Sequence, residues 1–244
     1  MQTLRADTTL ALPRLAVADG TLEGLKWLAL ALMTGDHVNK YLFNATLPML
    51  FEAGRVALPL FVFVLAYNLA RPGTLERGVY GRTVSRLAVF GAAASVPFIA
   101  LGGLYAGWWP LNVMFTLLII TATTYLLDHN GKLHQAVAGG VFLIGSSLVE
   151  YWWPAVAFGL AVWSYTRRPN WVAAVVALLA CAGLYFINRN LWAMVALPVL
   201  VLASRIDLRL PRLSWAFYAY YPLHLFVLWL IRIPMSKAGY LFFL

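Results

Sequence analysis

A small number of polar side chains sit among almost wholly apolar neighbours, and their types suit proton transfer and anion binding. The run from Leu25 to Tyr41, Leu-Lys-Trp-Leu-Ala-Leu-Ala-Leu-Met-Thr-Gly-Asp-His-Val-Asn-Lys-Tyr, holds Lys26, Asp36, His37 and Asn39. At about 100° per residue, the eleven positions from Lys26 to His37 make three helical turns. The two therefore share nearly one face, roughly 16 Å apart. That stripe carries a cation at one edge and, deep in the apolar run, an imidazole, the side chain best suited to proton transfer near neutral pH. A second deep imidazole lies near the other end of the chain, in Ser-Trp-Ala-Phe-Tyr-Ala-Tyr-Tyr-Pro-Leu-His-Leu from Ser214 to Leu225. His224 falls about ten residues, near 15 Å, into that segment. Tyr220 and Tyr221 share its face at i−4 and i−3, and Pro222 can open a backbone carbonyl nearby.

Other polar groups are expected at a similar depth: Arg55 in Phe-Glu-Ala-Gly-Arg-Val-Ala-Leu-Pro-Leu-Phe, Asn112 in Trp-Pro-Leu-Asn-Val-Met-Phe-Thr, and the pair Glu150-Tyr151. Ionisable groups within a membrane span are costly and usually face a protein interior or a wet cavity. Their convergence on one depth marks a candidate site. Asp36 cannot orient its neighbour His37, because adjacent helical residues point about 100° apart. It is expected to pair with Arg55 or His224 across the bundle, or locally with Lys40 at i+4. His37, Asp36, His224 and Glu150 could in principle ligate zinc, but no His-x-x-x-His or similar spacing is present, so no metal site is expected. His129 and His134, flanking Asn130-Gly131, read as surface histidines.

The elements that must position these groups follow from composition. The chain has 244 residues, 62% hydrophobic and 11% charged, with a mean hydropathy of +0.78. An ordinary soluble chain has about 45–50% apolar and 25% charged residues, so a water-soluble domain is excluded. The fold class expected is all-α, a polytopic transmembrane helical bundle of about nine spans with the amino terminus cytoplasmic. Residues 1–23 form a short cytoplasmic tail and 24–244 a single transmembrane domain. Pro13 and Arg14 interrupt the one apolar patch of the tail, which argues against a cleaved signal peptide. The spans are placed at about 24–43, 54–70, 84–106, 110–127, 134–149, 151–166, 170–187, 190–204 and 214–233, separated by turn signals such as Arg71-Pro72-Gly73 and Arg168-Pro169-Asn170.

Basic residues favour the cytoplasmic side of short loops. With nine spans, Arg5, Arg14, Lys26, Arg71, Arg77, Arg82, Arg86, Lys132, Arg167, Arg168, Arg205, Arg209 and Arg212 fall inside, against Lys40, Arg55, Arg189, Arg232 and Lys237 outside. The basic excess thus sets orientation, and no nucleic-acid partner is expected. A single cysteine, Cys181, excludes a disulfide framework.

Four motifs in order, Leu25-Lys26 with Leu32-Met33, Asp36-His37 and Asn39-Lys40, then Ala53-Gly54-Arg55 with Ala57 and Pro59-Leu60-Phe61, then Leu111-Asn112 with Phe115-Thr116, then Phe217-Tyr218 with Leu223-His224-Leu225, resemble the TraX family. The resemblance covers about residues 24–233. TraX proteins and their TrbP relatives are inner-membrane proteins of conjugation systems that mature the pilin, and the Tyr-Tyr-Pro-Leu-His segment is nearer the TrbP-like branch. The resemblance implies acetyl transfer from acetyl-coenzyme A to the amino-terminal amine of the pilin. The basic residue and histidine eleven apart also look like the multi-span acyltransferases of envelope carbohydrates.

For that chemistry His37 is the expected base, with His224 a second base or orienting group. Arg55 and Asn112 are the expected carbonyl or oxyanion donors. Asp36 completes the catalytic set, while Asn39, Glu150, Tyr151 and Tyr221 face substrate and Lys26, Arg82 and Arg86 hold coenzyme A phosphates. Other readings are cyclisation of the pilin through its own carboxyl end, a non-enzymatic pilin chaperone, and a transporter. No serine or cysteine nucleophile beside a histidine supports unaided peptide cleavage, and no internal repeat supports transport.

Overall fold

The computed structural model describes residues 12–102, 104–129 and 131–242. Arg5, counted above for orientation, and Asn130, between His129 and His134, lie outside the described residues. The chain is helical throughout: α1 (Asp19–Leu42), α2 (Pro48–Gly54), α3 (Ala57–Leu69), α4 (Val79–Leu101), α5 (Val113–Asp128), α6 (Lys132–Gly140), α7 (Ser146–Leu148), α8 (Trp152–Arg167), α9 (Trp171–Gly183), α10 (Tyr185–Asn188), α11 (Ala196–Ala203) and α12 (Ser214–Lys237). Among the described residues there are no strands, only isolated bridges at Ala106–Trp109 and Leu111–Val149. A π-turn, Val141–Gly145, joins α6 to α7, and a 3-10 turn, Trp192–Val195, leads into α11.

Each expected span corresponds to one helix or one interrupted run. Four runs, Pro48–Leu69, Val79–Leu101, Trp171–Asn188 and Trp215–Lys237, are long and apolar enough to cross a membrane. The protein is a polytopic membrane bundle. Capping residues set several starts. Pro48 occupies the first turn of α2, and Asn112 and Asn170 accept from Met114 N and Ala173 N to open α5 and α9. The first helix begins at Asp19, before the expected Gly24, because Glu23 and Lys26 depress hydropathy over turns that are nonetheless packed: Thr21, Leu22 and Glu23 are all buried.

Five helices, α1, α3, α5, α4 and α12, close in that order into a ring. α3 is apolar on every side, with Leu60, Val62, Phe63, Val64 and Ala66 all buried. An all-round apolar helix belongs in an interior, and α3 is backed by α8 and α11, with α9 outside α8. A second core joins α1, α4, α5 and α12 through Tyr41, Leu87, Phe98, Met114, Tyr221 and Leu225. Outward faces stay apolar, as at Val172, Leu179 and Val201, where lipid is the solvent. Strand-like extended chain between α11 and α12 lies against the first turns of α1: Thr21 Oγ1 donates to Ile206 O at 2.6 Å and Leu208 N donates to Thr21 Oγ1 at 3.1 Å.

By chain direction, the first turn of α1, the last turn of α3 and the start of α4 share one end with the α8–α9 turn and the α11–α12 connection. That end gathers Arg14, Lys26, Arg71, Arg77, Arg82, Arg86, Lys132, Arg167, Arg168, Arg205, Arg209 and Arg212. It is called the basic end below.

Candidate active site: a histidine pair beside a cationic cavity

The ring encloses a cavity of about 430 Å³. At the basic end its wall carries Lys26, Arg71, Arg77, Arg82, Arg86 and Arg212; deeper it is lined by Leu30, Met33, Val64, Leu65 and Leu117, and it reaches Val113, Tyr220 and Tyr221. Lys26 is paired with Glu23 at 2.5 Å and lies 4.4 Å from the Phe217 ring centroid. Arg86 stacks over Trp215 and Tyr218 at 4.7 and 5.9 Å, a contact that holds the guanidinium without neutralising it. The Arg82 and Arg212 guanidinium groups have no hydrogen bond or ion pair among the described residues. The three cations expected to hold phosphates thus line one cavity, and Arg71, Arg77 and Arg212 join them. Those three were read as orientation charges; only the folding of two loops onto one opening brings them to the same wall.

Beside Tyr220 and Tyr221, which line the cavity, α1 and α12 bring the two histidines together, His37 Nδ1 to His224 Nε2 at 2.7 Å. The ring planes differ by 3° and the centroids stand 5.0 Å apart. That separation is little more than the N···N contact plus two imidazole radii, so the rings meet edge on and in line, as an N–H···N hydrogen bond requires. His224 Nδ1 lies 3.0 Å from Tyr220 O. A carbonyl can only accept, so His224 Nδ1 carries a proton. In neutral His224 the Nε2 is then an acceptor, and His37 Nδ1 must donate to it. His37 Nε2 is left with its lone pair. The carbonyl used is that of Tyr220, four residues back from His224, whereas the one Pro222 leaves without its helical partner is Tyr218. Tyr220 Oη also meets Thr34 Oγ1 at 2.9 Å, tying the two helices one turn from the pair.

Asp36 points away from His37, as adjacent helical residues must, and forms an ion pair with Arg55. Of the alternatives, Arg55 is therefore the partner; Lys40 instead lies over the Tyr41 ring at 5.0 Å. Arg55 is further held by Phe51 O at 3.1 Å and by Asn188 Oδ1 at 3.4 Å. The Asn188 Nδ2 is buried without a partner. Sequence reading passed over Asn188 because it falls just past an apolar run, among other loop polars. A lone asparagine at the end of such a run was the available signal.

Glu150 is fixed by backbone stitching: Glu150 N donates to Leu111 O at 2.9 Å and Thr116 Oγ1 donates to Glu150 O at 2.7 Å. The Val113 N–H at the start of α5 faces both the Glu150 carboxylate and the Tyr221 hydroxyl. A carboxylate is favoured at a helix N-terminus. Tyr221 in turn packs against both histidines, with centroids 6.4 Å from His37 and 5.4 Å from His224. The next two residues, Tyr151 and Trp152, have φ of 64° and 45°, a left-handed conformation that costs non-glycine residues of order 1–3 kcal/mol and clusters at functional sites.

Two expected substrate contacts, Asn39 and Asn112, hydrogen-bond within the fold. Asn39 is fully buried; its Nδ2 donates to Leu47 O and its Oδ1 accepts from Leu47 N, both at 2.9 Å. Asn112, equally buried, caps α5 and donates from Nδ2 to Gly91 O at 2.9 Å and Ser95 Oγ at 3.1 Å. Both amides are engaged by the fold, Asn112 through both of its N–H donors and Asn39 through one of its two.

A helical membrane bundle with a coplanar histidine pair beside a cationic cavity is the class of protein that the fold and site define. The family model described as TraX protein matches residues 21–232. The chain belongs to the TraX family, which makes it a conjugation-related, pilin-processing membrane protein. No curated protein and no solved structure matches it.

Proposed function

We propose that the protein is an inner-membrane N-acetyltransferase that transfers the acetyl group of acetyl-coenzyme A to the amino-terminal amine of a conjugative pilin. The observation that carries this reading is the 2.7 Å His37–His224 contact with His224 anchored on Tyr220 O, which leaves His37 Nε2 as an unshared base. The cationic rim suits the phosphates of coenzyme A, and the apolar depth below it suits a long thiol-ended arm. The ring end carrying Glu150, Tyr151, Lys40 and Arg55 faces the acceptor, with the Glu150 carboxylate a seat for an ammonium group.

A free α-amine has a pKa of about 7.7–8.0, so its deprotonation near neutral pH is not costly. The amine nitrogen attacks the thioester carbonyl. As the C–N bond forms, the nitrogen proton passes to His37 Nε2, while Nδ1–H···Nε2 contact with His224 spreads the imidazolium charge. Arg55, with the spare Asn188 amide beside it, supplies donors for the tetrahedral oxyanion. The C–S bond breaks, and the proton on His37 goes to the departing sulfur to give the free thiol. The products are the acetylated amine and coenzyme A, with no oxidant or reductant needed.

Intact mass spectrometry of mature pilin tests this, using cells with the gene intact, deleted, or changed at His37→Ala. The expected result is a mass greater by one acetyl group with the intact gene alone. Loss of one water would mean cyclisation. Equal masses in all three would leave a pilin chaperone.

A further inference from the structure

Behind the ring, on the side away from the histidines, α3, α8, α9 and α11 leave a groove of about 500 Å³ open at the basic end. Its walls are apolar, among them Phe63, Phe158, Ala177 and Leu200 from the four helices. Arg14 and Arg205 stand exposed on its lining. Neither guanidinium has a hydrogen bond or ion pair among the described residues, and Asp207, two residues from Arg205, is in ion-pair contact with neither. Arg14 is nevertheless placed by its flanks. Tyr165 Oη donates to Pro13 O at 2.8 Å, and Val17 N donates to Tyr67 Oη at 3.1 Å. The segment thus crosses the groove as a strap with its arginine at the opening.

We infer that this groove is a binding site for one anionic phospholipid of the surrounding bilayer, its phosphate held between Arg14 and Arg205 and an acyl chain laid along the apolar walls. The occupant must come from the membrane, since the helices that form the groove present bare Val172, Leu179 and Val201 to lipid. It must have an apolar chain to fill the walls and a net negative head, because two unpaired guanidinium groups line the groove and guanidinium recognises phosphate through a fixed fork of donors. The site is separate from the histidine cavity and does not depend on the acetyl-transfer reading.

Native mass spectrometry and thermal unfolding of the purified full chain in a neutral detergent, with phosphatidylglycerol, phosphatidylcholine or sodium phosphate added, decide it. Wild type is expected to retain one phosphatidylglycerol per chain and unfold several degrees higher with it, and to gain less from phosphatidylcholine. Arg14→Gln with Arg205→Gln, both at exposed positions, is expected to weaken retention roughly tenfold, and Ala177→Trp to block it by filling the groove. Equal retention by the arginine variant, equal gain from phosphatidylcholine, or the full gain from phosphate alone would each overturn the proposal. A misfolded Ala177→Trp chain would leave the arginine comparison to decide.

Discussion

His37 keeps a free lone pair because of a carbonyl it does not touch. Tyr220 O fixes the proton on His224 Nδ1, His224 Nε2 then accepts from His37 Nδ1, and the tautomer of the base follows. A glutamine at 224 can still accept from His37 through its amide oxygen but cannot share a proton. We expect His224→Gln to slow acetyl-pilin formation about tenfold and His224→Ala about 10²–10⁴-fold, the usual range for losing assisted proton transfer. Initial rates measured by mass spectrometry would show this, and equal loss in both variants would remove the orienting role. At this scale the sequence was informative where an ionisable group interrupted an apolar run, as at His37, Arg55 and His224. It did not show that Asn39 and Asn112 bond within the fold, because an amide that holds backbone and one that binds substrate look alike until their partners are known. The tautomer was illegible, since it depends on a carbonyl contact within α12 combined with a cross-bundle distance.

The histidines are registered by the helices that carry them, and α1 is fixed at its first turns by the chain between α11 and α12. A Cβ built at Gly20 would lie 1.8 Å from Leu208 O and 2.7 Å from its carbonyl carbon, a collision with backbone that no rotamer can relieve. Gly20→Ala is expected to lower the unfolding temperature by several degrees, as a mutation costing about 1–3 kcal/mol does by overpacking. It should also reduce acetyl-pilin formation by shifting His37. An unchanged melting curve in detergent would mean that the connection does not hold α1. Element identity was legible here because long apolar runs with Asn or Pro at their starts leave little choice. The start of α1 was less so: hydropathy falls at Glu23 and Lys26, yet Glu23 is buried and its Oε2 accepts from Leu213 N at 3.4 Å. A charge that is paired inside the fold resembles a solvated one in sequence.

Across the whole molecule, the basic end does two things with one set of charges. By the distribution of arginine and lysine it is expected to face the cytoplasm, and it is also where the ring opens. Replacing Arg82 and Arg86 by Gln is expected to raise KM for acetyl-coenzyme A about tenfold, with the loss falling on KM more than kcat, and added salt should raise the wild-type KM by screening the same attraction. A salt-independent KM would place the donor elsewhere. Charge counting could see the asymmetry but not that six of the cations share a cavity wall, which needs α1, α4 and the turns beside α3 and α12 to close on one another. That closure has a temporal consequence. His37 and His224 lie 187 residues apart, and α12 leaves the ribosome after every other helix, so a chain under synthesis carries its base without a partner until the last span is inserted. On the acetyl-transfer reading, nascent protein is expected to be inert toward thioesters, and a truncation before α12 to yield a membrane-embedded product that transfers no acetyl group.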